Sequence, residues 1–261
     1  MLEVEVVKVD VSSKKTQQKT DYVAEEKPLH ILIDRNHYAT ILCSPKNLKE
    51  LAIGHALSAG IIKSIEEIEK ITIKDKSVCH VKLKPNIDLE KRLRLSKNFS
   101  RIILSACGSP SPYQPSLKLP KIKSNLKVKA EGVLECVNHL NFIAETFRKT
   151  GGVHAAAIYR SDGTLVAFAE DVGRHNAVDK VIGMCALNKT DLGKCFLALS
   201  GRLTGDIVAK AARMGLPIVA SLAAAIDSGI AIAKDIDLTL IGFVRGKRMN
   251  IYNFPERVLL N

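Results

Sequence analysis

The sequence predicts an α/β protein whose C-terminal half is a three-layer sandwich, and three observations support this class. Residues 127–261 alternate between amphipathic helical segments and short apolar strands, the pattern of a sheet covered by helices. Residues 1–104 contain short strands around one helix, which predicts a smaller N-terminal α+β domain. Residues 105–126 are punctuated by prolines at positions 110, 112, 115 and 120, so we expect a flexible, partly extended linker between the two domains.

In the N-terminal domain, alternating apolar residues predict strands that are bounded by polar turns. An Asp34–Asn36 turn joins two of them, and a helix begins near Leu48 and ends at Gly60. The predicted strands are Val4–Val11, Tyr22–Ala24, His30–Asp34, His37–Cys43, Ile65–Ile73 and Ser77–Leu83. His55 falls on the apolar face of the helix, where a satisfied core or interface histidine is a better interpretation than a ligand.

In the C-terminal domain, helix and strand patterns follow each other in a regular order. A long helix is expected over Val128–Lys149, stopping at Gly151, and a hairpin follows over Val153–Tyr159 and Thr164–Glu170. Three further helices then alternate with three strands. We expect the helices at Arg174–Leu187, Thr204–Met214 and Ser228–Lys234, and the strands at Phe196–Leu199, Pro217–Ser221 and Leu238–Phe243.

Composition restricts the classes of partner. The chain has 261 residues with a formal net charge of +12, which favours anionic partners such as nucleotide-bearing cofactors or acidic proteins. It contains no tryptophan and little aromatic interleaving, so stacking on nucleic-acid bases is not expected. Neither a signal peptide nor a membrane-spanning segment is recognisable, and a cytoplasmic location is therefore expected.

Six cysteines lie far apart and show no zinc-finger spacing. Cys43, Cys136, Cys185 and Cys195 sit within apolar patterns and are expected to be buried and reduced. Cys107 differs, because it follows a short apolar run and enters a Gly-Ser-Pro turn, where a thiol would be accessible to partners. The alternative is that Cys107 is a small apolar residue that closes a strand.

Two loop-to-helix junctions carry polar clusters. The first is Gly173-Arg174-His175-Asn176, where helix N–H groups would point toward an anion such as phosphate. The second is Ser200-Gly201-Arg202, which also runs from a strand through glycine to a helix. Each could be an ordinary helix cap, but together they predict two helix N-termini beside one pocket at the carboxyl ends of adjacent strands.

Two further segments complete the candidate site. After the last predicted strand, two arginines and a lysine flank a glycine turn. This turn is interpreted as a phosphate-binding site, and the alternative is an ordinary solvated basic turn. This segment comprises Phe243, Val244, Arg245, Gly246, Lys247 and Arg248. His154 begins a predicted strand. There it either faces the same pocket or is a core residue whose ring nitrogens have hydrogen-bond partners.

The order of helices and strands is similar to that of zinc nucleoside deaminases. Those enzymes place His-x-Glu at one helix start and Pro-Cys-x-x-Cys at the next. Here the corresponding positions read His175-Asn176-Ala177 and Ser200-Gly201-Arg202, without the glutamate and without the cysteines. We therefore expect no zinc site and no deaminase chemistry on this scaffold.

Several long motifs together resemble the FdhD family of formate dehydrogenase accessory sulfurtransferases. They are Gly151–His154, Asp171–Lys180, Ser200–Arg202 and Gly242–Tyr252. The resemblance implies a cytidine-deaminase-like fold without deaminase activity, a cytoplasmic homodimer, and a sulfur carrier. It implies that sulfur is taken from a cysteine desulfurase as a persulfide and passed to the molybdenum (or tungsten) bis-molybdopterin guanine dinucleotide cofactor for the catalytic subunit of formate dehydrogenase.

The resemblance also assigns roles to individual residues. Cys107 matches the first cysteine of the family's Cys-x-x-Cys loop and is implied to be the persulfide carrier, whereas Pro110 replaces the second cysteine. Phe243–Arg248 matches the family's cofactor-binding stretch, and guanine nucleotides such as GDP or GMP are the implied mimics of the cofactor. A single thiolate suffices to carry sulfur. The competing hypotheses are a cofactor-binding chaperone in which Cys107 is dispensable, and a nucleotide-modifying enzyme.

Overall fold

The computed structural model describes residues 1–96, 101–103 and 119–260, and it has the mixed α/β architecture that the sequence predicts. An antiparallel hairpin formed by β1 (Leu2–Asp10) and β2 (Lys15–Val23) precedes a five-stranded sheet. That sheet has the order β5-β6-β3-β4-β7. Its strands are β3 (Lys27–Ile33), β4 (Asn36–Cys43), β5 (Ile68–Lys74), β6 (Val78–Leu83) and β7 (Arg101–Ile103). The helices of this part are α1 (Leu48–Ser58) and α2 (Leu89–Ser96).

The C-terminal half contains a six-stranded sheet with the order β10-β9-β11-β12-β13-β14. Its strands are β9 (His154–Arg160), β10 (Leu165–Asp171), β11 (Cys195–Leu199), β12 (Ile218–Ser221), β13 (Thr239–Arg245) and β14 (Arg248–Ile251). Strands β11, β12 and β13 are parallel, so their carboxyl ends share one edge. The helices are α3 (Ala130–Ile143), α4 (Glu145–Thr150), α5 (Arg174–Leu187), α6 (Gly205–Arg213) and α7 (Asp227–Asp235). A small parallel pair, β8 (Val128–Lys129) and β15 (Val258–Leu259), completes this half.

Helices cover both faces of the six-stranded sheet. Helix α3 buries Val133, Val137 and Leu140 against one face. Helices α5, α6 and α7 cover the other face, and the core on that side continues into α1 and the five-stranded sheet. Residues of the N-terminal and C-terminal halves therefore share one hydrophobic core. Within the described residues, no helix combines the length and the apolar character needed to cross a bilayer.

The predicted helix Val128–Lys149 is wrong in two respects, because Val128 and Lys129 form strand β8 and the remainder is two helices. The backbone of the buried Ala144 leaves the helical region, with φ −74° and ψ 74°, and α4 begins at the next residue. The Glu170 carboxylate explains the new start, since it accepts the N–H groups of Thr146 (3.1 Å) and Phe147 (2.7 Å). A carboxylate from β10 thus satisfies donors that an unbroken helix would have bonded internally.

Four other elements also differ from the prediction. Strand β2 starts at Lys15 instead of Tyr22, because it pairs with β1 along its whole length despite its polar sequence. Helix α2 and strand β14 were not predicted; α2 is rich in charged residues. The predicted strand Ile65–Ile73 opens with a 3₁₀ turn over Ile65–Glu67, and the strand itself begins at Ile68.

The described part of the predicted linker, residues 119–126, is fixed to the C-terminal half. The N–H of Ile122 donates to the carbonyl of Ile236 at 2.8 Å, and its side chain is buried. The hydroxyl of Ser124 donates to the carbonyl of Gly193 at 2.7 Å. Cys107 lies outside the described residues.

Helices α1 and α5 cross at two glycines. A Cβ added to Gly54 would lie 1.7 Å from the carbonyl oxygen of Asp179, and one added to Gly183 would lie 2.0 Å from that of Glu50. Such distances are far inside van der Waals contact. Helix α5, which carries the first polar junction at its N-terminus, is therefore held against the N-terminal half by close backbone packing.

We expect Gly183→Ala to lower the free energy of unfolding by about 1–3 kcal/mol or more, because α1 and α5 must separate to admit the methyl group. Urea unfolding measures the effect. Gly132→Ala in α3 is the matched control, since its nearest neighbour would lie 4.0 Å away and helix propensity favours alanine by up to about 1 kcal/mol. Equal stability of the two variants would contradict this packing.

Candidate functional site

A buried ion pair fixes the start of α5. The Nζ atom of Lys180 lies 2.7 Å from Oδ2 of Asp171, and both side chains have 0% exposure. The Asp171 carboxylate also accepts N–H groups from Ser44 (3.0 Å) and Gly173 (2.9 Å), and the Asn176 amide (2.9 Å). Burial raises the pKa of Asp171, but Lys180, Gly173 and Asn176 oppose that shift by stabilising the carboxylate. The Asp171 cluster therefore ties the end of β4 to the first turn of α5.

The side-chain amide of Asn176 makes hydrogen bonds within the protein. Its Nδ2 atom donates to Asp171 and also to the carbonyl of Leu42, at 2.9 Å each. Gly173 is the N-cap residue of α5, and a Cβ added there would lie 2.9 Å from Nδ2 of Asn176. These two residues of the first predicted junction thus shape the helix start, which leaves Arg174 and His175 as its ligand-facing candidates.

Arg174 and His175 carry buried polar atoms without partners. Arg174 is 8% exposed, and neither its Nε nor the Nε2 of His175 has a hydrogen-bond partner among the described residues. The Arg174 side chain runs over Gly201, where an added Cβ would lie 3.0 Å from the Cβ of Arg174. The glycine of the second junction therefore makes room for the arginine of the first.

His154 and Ser200 join the same cluster. The Ser200 Oγ accepts the N–H of Ala155 at 3.0 Å and lies 3.4 Å from Nδ1 of His154. Burial lowers the pKa of His154, and the nearby Arg174 and Arg202 lower it further. His154 is therefore a neutral imidazole in a positive electrostatic environment at neutral pH.

The start of α6 lies beside this cluster. Its N-cap residue is Thr204, whose side chain caps nothing and whose buried Oγ1 lacks a partner within the described part of the chain. Arg202 is exposed just before it. Asp206, in the first turn of α6, brings a carboxylate to the same region; burial raises its pKa, although Lys210 and Arg174 oppose the shift.

A second buried charge cluster, which the sequence analysis missed, connects α1, α5 and α6. Lys210 Nζ donates to both Asp179 oxygens at 2.7 and 2.8 Å, and Ser58 Oγ donates to one of them at 2.6 Å. His55 Nδ1 lies 3.1 Å from the other, so the interpretation of His55 as a satisfied interface residue is confirmed. Burial alone would raise the pKa of Asp179, but Lys210 and His55 hold that pKa below its ordinary range.

The third predicted segment lies at the same sheet edge. Phe243 has a left-handed backbone (φ 52°) at a bulge in the β13–β14 pairing, and Arg245 lies over its ring at 5.2 Å. The backbone N–H of Phe243 donates to the carbonyl of Ala223, which lies in the loop after β12. The register pairs Leu199 of β11 with Ser221 of β12, and Ala220 of β12 with Ile241 of β13, so Ser200 and Phe243 follow these pairs at the same end of the sheet, on opposite sides of β12.

Comparison with known proteins identifies the family of the chain. The sequence model of the FdhD/NarQ family matches residues 24–259. The chain belongs to the FdhD/NarQ family. A protein of Shouchella clausii named sulfur carrier protein FdhD is 36% identical over 246 residues, covering 92% of this chain and 91% of the relative. A Staphylococcus aureus protein of the same name is 34% identical, covering 92% and 90%.

A solved structure supports the assignment to the FdhD/NarQ family. It is a crystal structure from Desulfotalea psychrophila described as a formate dehydrogenase accessory protein. It superposes on this chain with a TM-score of 0.79 and 26% sequence identity, and the alignment covers 99% of each chain. The identification of the family from its sequence motifs is thereby confirmed.

Of the residues that the sequence predicts for cofactor binding, the structure brings one group into contact. His154, Arg174, Ser200 and Gly201 cluster between the starts of α5 and α6, with Arg202 beside them. Phe243–Arg248 forms a separate basic turn at the same edge, and the loop after β12 lies between the two groups. Within this loop region, Ser221 Oγ donates to the carbonyl of Gly201 at 2.6 Å.

The five described cysteines are all buried, which confirms the prediction for Cys43, Cys136, Cys185 and Cys195. Burial raises the pKa of Cys43, Cys79 and Cys185 to about 12 and that of Cys136 to about 11, and it raises the pKa of Cys195 as well. These thiols are protonated at neutral pH and inert as nucleophiles. Among the described residues, no three His, Cys, Asp or Glu side chains are grouped to hold a metal ion.

The buried imidazole of His175 makes stability depend on pH. Burial lowers its pKa to about 3, aided by Lys210 and Arg174 and opposed by Asp179. Between about pH 6.5 and pH 3 the unfolded chain binds a proton at this residue that the folded chain does not. The free energy of unfolding therefore falls as pH falls through this window, by up to about 1.4 kcal/mol per pH unit from His175 alone.

We expect His175→Gln to weaken that dependence. Urea unfolding at about pH 6.5 and about pH 4.5 gives the change in stability for each protein, and the change should be smaller for the variant. His139→Gln is the control, because that ring sits on α3 and contacts Tyr159, away from the cluster. An unchanged pH dependence in His175→Gln would show that its imidazole takes up protons in the folded state.

Proposed function

We propose that this chain is a sulfur carrier for formate dehydrogenase. In this proposal Cys107 takes sulfur from a cysteine desulfurase as a persulfide and passes it to the molybdenum (or tungsten) bis-molybdopterin guanine dinucleotide cofactor. The cofactor is the client, and it then enters the catalytic subunit of formate dehydrogenase. The protein acts as a cytoplasmic homodimer with sulfurtransferase activity, on a cytidine-deaminase-like sandwich without zinc. The names of its relatives support the general role.

The observation that carries the proposal is the state of the other thiols. Sulfur transfer requires a thiolate that partners can reach. Five of the six cysteines are buried with raised pKa values, so they cannot provide it. The sixth, Cys107, stands at the position of the family's loop cysteine. It is therefore the thiol of this chain that we assign to the persulfide.

The position of β7 restricts where Cys107 can reach. Strand β7 runs parallel to β4, with Ile103 opposite Ile41, so both strands point toward Ser44. Ser44 contacts Asp171 at the start of α5. Cys107 follows Ile103 by four positions in the sequence, a span of at most about 14 Å.

The first chemical step needs one thiolate. The Cys107 thiolate attacks the terminal sulfur of the desulfurase persulfide, a new S–S bond forms on Cys107, and the desulfurase thiolate leaves. No oxidant is consumed, because the terminal sulfur moves between two thiols. Pro110 stands where the family's loop has its second cysteine, so this loop cannot release the sulfur by closing an internal disulfide.

The basic groups of the site fit the nucleotide portions of the client. Arg245, Lys247 and Arg248 surround the turn at Gly246, which has the left-handed φ of 62° that glycine favours. Guanidinium groups pair with phosphate oxygens in a bidentate manner. Together with Arg174 and Arg202 they supply the positive charge that two guanine dinucleotides require, and GDP or GMP should act as mimics.

Restoration of formate dehydrogenase in a host that lacks its own sulfur carrier tests the function. The chain is expressed in that host, and formate dehydrogenase activity is measured together with the cyanide-labile sulfur of the isolated enzyme. We expect both to return. An enzyme that contains the cofactor but no labile sulfur would instead support the chaperone, and absence of the cofactor would contradict both functions.

A further inference from the structure

A row of lysines lies on one side of the segment that leads into α3. Between residues 121 and 129 the odd-numbered residues are exposed, and the even-numbered residues are buried or partly buried. This alternation is typical of an extended strand that packs one face on the protein. We call residues 121–129 the lysine edge. Its exposed residues are Lys121, Lys123, Asn125, Lys127 and Lys129.

The backbone of the lysine edge is bonded to the protein on its inner side. The N–H of Ile122 donates to the carbonyl of Ile236 at 2.8 Å. The backbone N–H and C=O groups of Lys121, Lys123 and Asn125 have no hydrogen-bond partner within residues 1–96, 101–103 and 119–260. Successive residues of an extended strand direct these groups to opposite sides. The outer side is therefore an unpaired strand edge.

The lysine edge and the candidate site lie at opposite ends of the six-stranded sheet. Hydrogen bonds join Ser124 to Gly193, just before β11, and Ile122 to Ile236, just before β13. Ser200 of the candidate site follows the other end of β11. That strand has five residues and spans about 17 Å. The lysine edge is therefore a second surface, separate from the cluster around Arg174.

The charges of the lysine edge favour an acidic partner. Lys123, Lys127 and Lys129 form no ion pair with any described residue, and the Lys121–Asp237 pair is long at 3.4 Å, with the lysine side chain 67% exposed. The nearest charges on neighbouring elements balance one another. They are Asp191 with Lys194 and Glu256 with Arg257. Exposed positive charge of this kind attracts acidic surfaces.

We propose that the lysine edge binds an extended acidic segment of a partner protein by strand addition. The backbone of that segment pairs with Lys121, Lys123 and Asn125, and carboxylates at every second position lie opposite the lysines. The inference rests on the proposed function in one respect, because the partner is then the cysteine desulfurase that supplies Cys107. Cys107 belongs to the stretch of sequence that leads into the lysine edge.

The same residues disfavour two other occupants. A second copy of the lysine edge would place lysine opposite lysine, and proteins use edge lysines to prevent such self-pairing. Single-stranded nucleic acid binds through aromatic stacking, and its phosphates pair best with arginine. Residues 119–129 contain neither an aromatic residue nor an arginine. An acidic protein segment is therefore the occupant that fits.

Hydrogen exchange of the full-length protein tests the strand addition directly. The probe is a synthetic peptide in which glutamate and threonine alternate, and the control peptide has lysine in place of glutamate. The glutamate peptide should slow amide exchange in residues 121–125, because these N–H groups become donors in a new strand pair. Absence of protection by the glutamate peptide would overturn the proposal, as would protection by a single-stranded oligonucleotide instead.

The double variant Lys123→Glu/Lys127→Glu tests the partner. Its affinity for a cysteine desulfurase should fall roughly 10-fold at low ionic strength, and the difference should shrink as salt is added. Lys15→Glu/Lys19→Glu is the matched control, with the same charge change and the same spacing on the exposed strand β2. The control should retain wild-type affinity. Equal losses in both variants would show attraction by net charge alone and would overturn the proposal.

Sulfur loading at saturating desulfurase separates this inference from the proposed function. The lysine-edge variant should then gain the same sulfur as the wild type, because its Cys107 is intact. If the wild type gains sulfur and the variant binds the desulfurase with undiminished affinity, the lysine edge is wrong and the sulfur carrier stands. If the wild type gains no sulfur, the sulfur carrier is contradicted, and protection by the glutamate peptide still decides whether the lysine edge binds acidic segments.

Discussion

Replacing Cys107 with alanine should abolish the maturation of formate dehydrogenase. The residual activity should not exceed that of a host without any carrier, because sulfur cannot be transferred without a thiolate and the remaining five thiols are buried. A loop with two cysteines would keep one thiol after such a substitution. Here Pro110 takes the second position, so we expect complete loss rather than partial loss.

Cys195→Ala is the matched control for that experiment. It removes a thiol that is 0% exposed and whose pKa is raised by burial, and it leaves Cys107 in place. It should retain maturation, with a small loss of stability from the lost packing. Full maturation with Cys107→Ala would contradict the sulfur carrier and favour the chaperone, in which the binding site alone matters.

Removing the buried ion pair at the start of α5 should have the largest effect on stability. Lys180→Met leaves the Asp171 carboxylate buried without its cation, which costs about 3–5 kcal/mol of unfolding free energy. For a chain of this length the melting temperature should fall by roughly 10 °C. Ligand affinity should fall as well, since the Asp171 cluster positions the first turn of α5 and therefore Arg174.

Lys194→Met is the control for this charge removal. Lys194 forms an exposed pair with Asp191 at 3.5 Å, with side chains 76% and 62% exposed, and such pairs contribute under about 1 kcal/mol. Thermal and urea unfolding of both variants give the comparison. Similar losses in the two variants would show that Asp171 is protonated and neutral in the folded protein, which would contradict the ion pair.

The regular elements could be predicted because their periodicity survives in the local sequence. The apolar runs of β9, β11 and β13 are buried strands, and glycines mark the turns after them: Gly163 leads into β10, Gly246 into β14, and Gly201 precedes α6. The break at Ala144 could not be predicted, because its cause is the carboxylate of Glu170, which approaches from another strand. Strand β2 follows its pairing with β1 and not its own polar composition.

In the candidate site, too, some residues could be predicted from the sequence and others could not. The junctions at Arg174 and Ser200 could be found from glycine and polar residues at strand ends, and the structure places them in contact. The cluster of Asp179, Lys210 and His55 was missed, because its members come from three helices far apart in sequence. One signal was available: Asp179 and Lys180 interrupt an otherwise apolar stretch of α5, and charges at such positions must be paired when buried.

Intact mass spectrometry tests the central claim most directly. The purified protein is incubated with a cysteine desulfurase and cysteine, with and without a reductant, beside Cys107→Ala and Cys195→Ala. The account predicts a gain of one sulfur atom that the reductant removes, present in the wild type and in Cys195→Ala and absent from Cys107→Ala. The same gain in Cys107→Ala, or no gain in a wild type that folds and binds GDP, would contradict it.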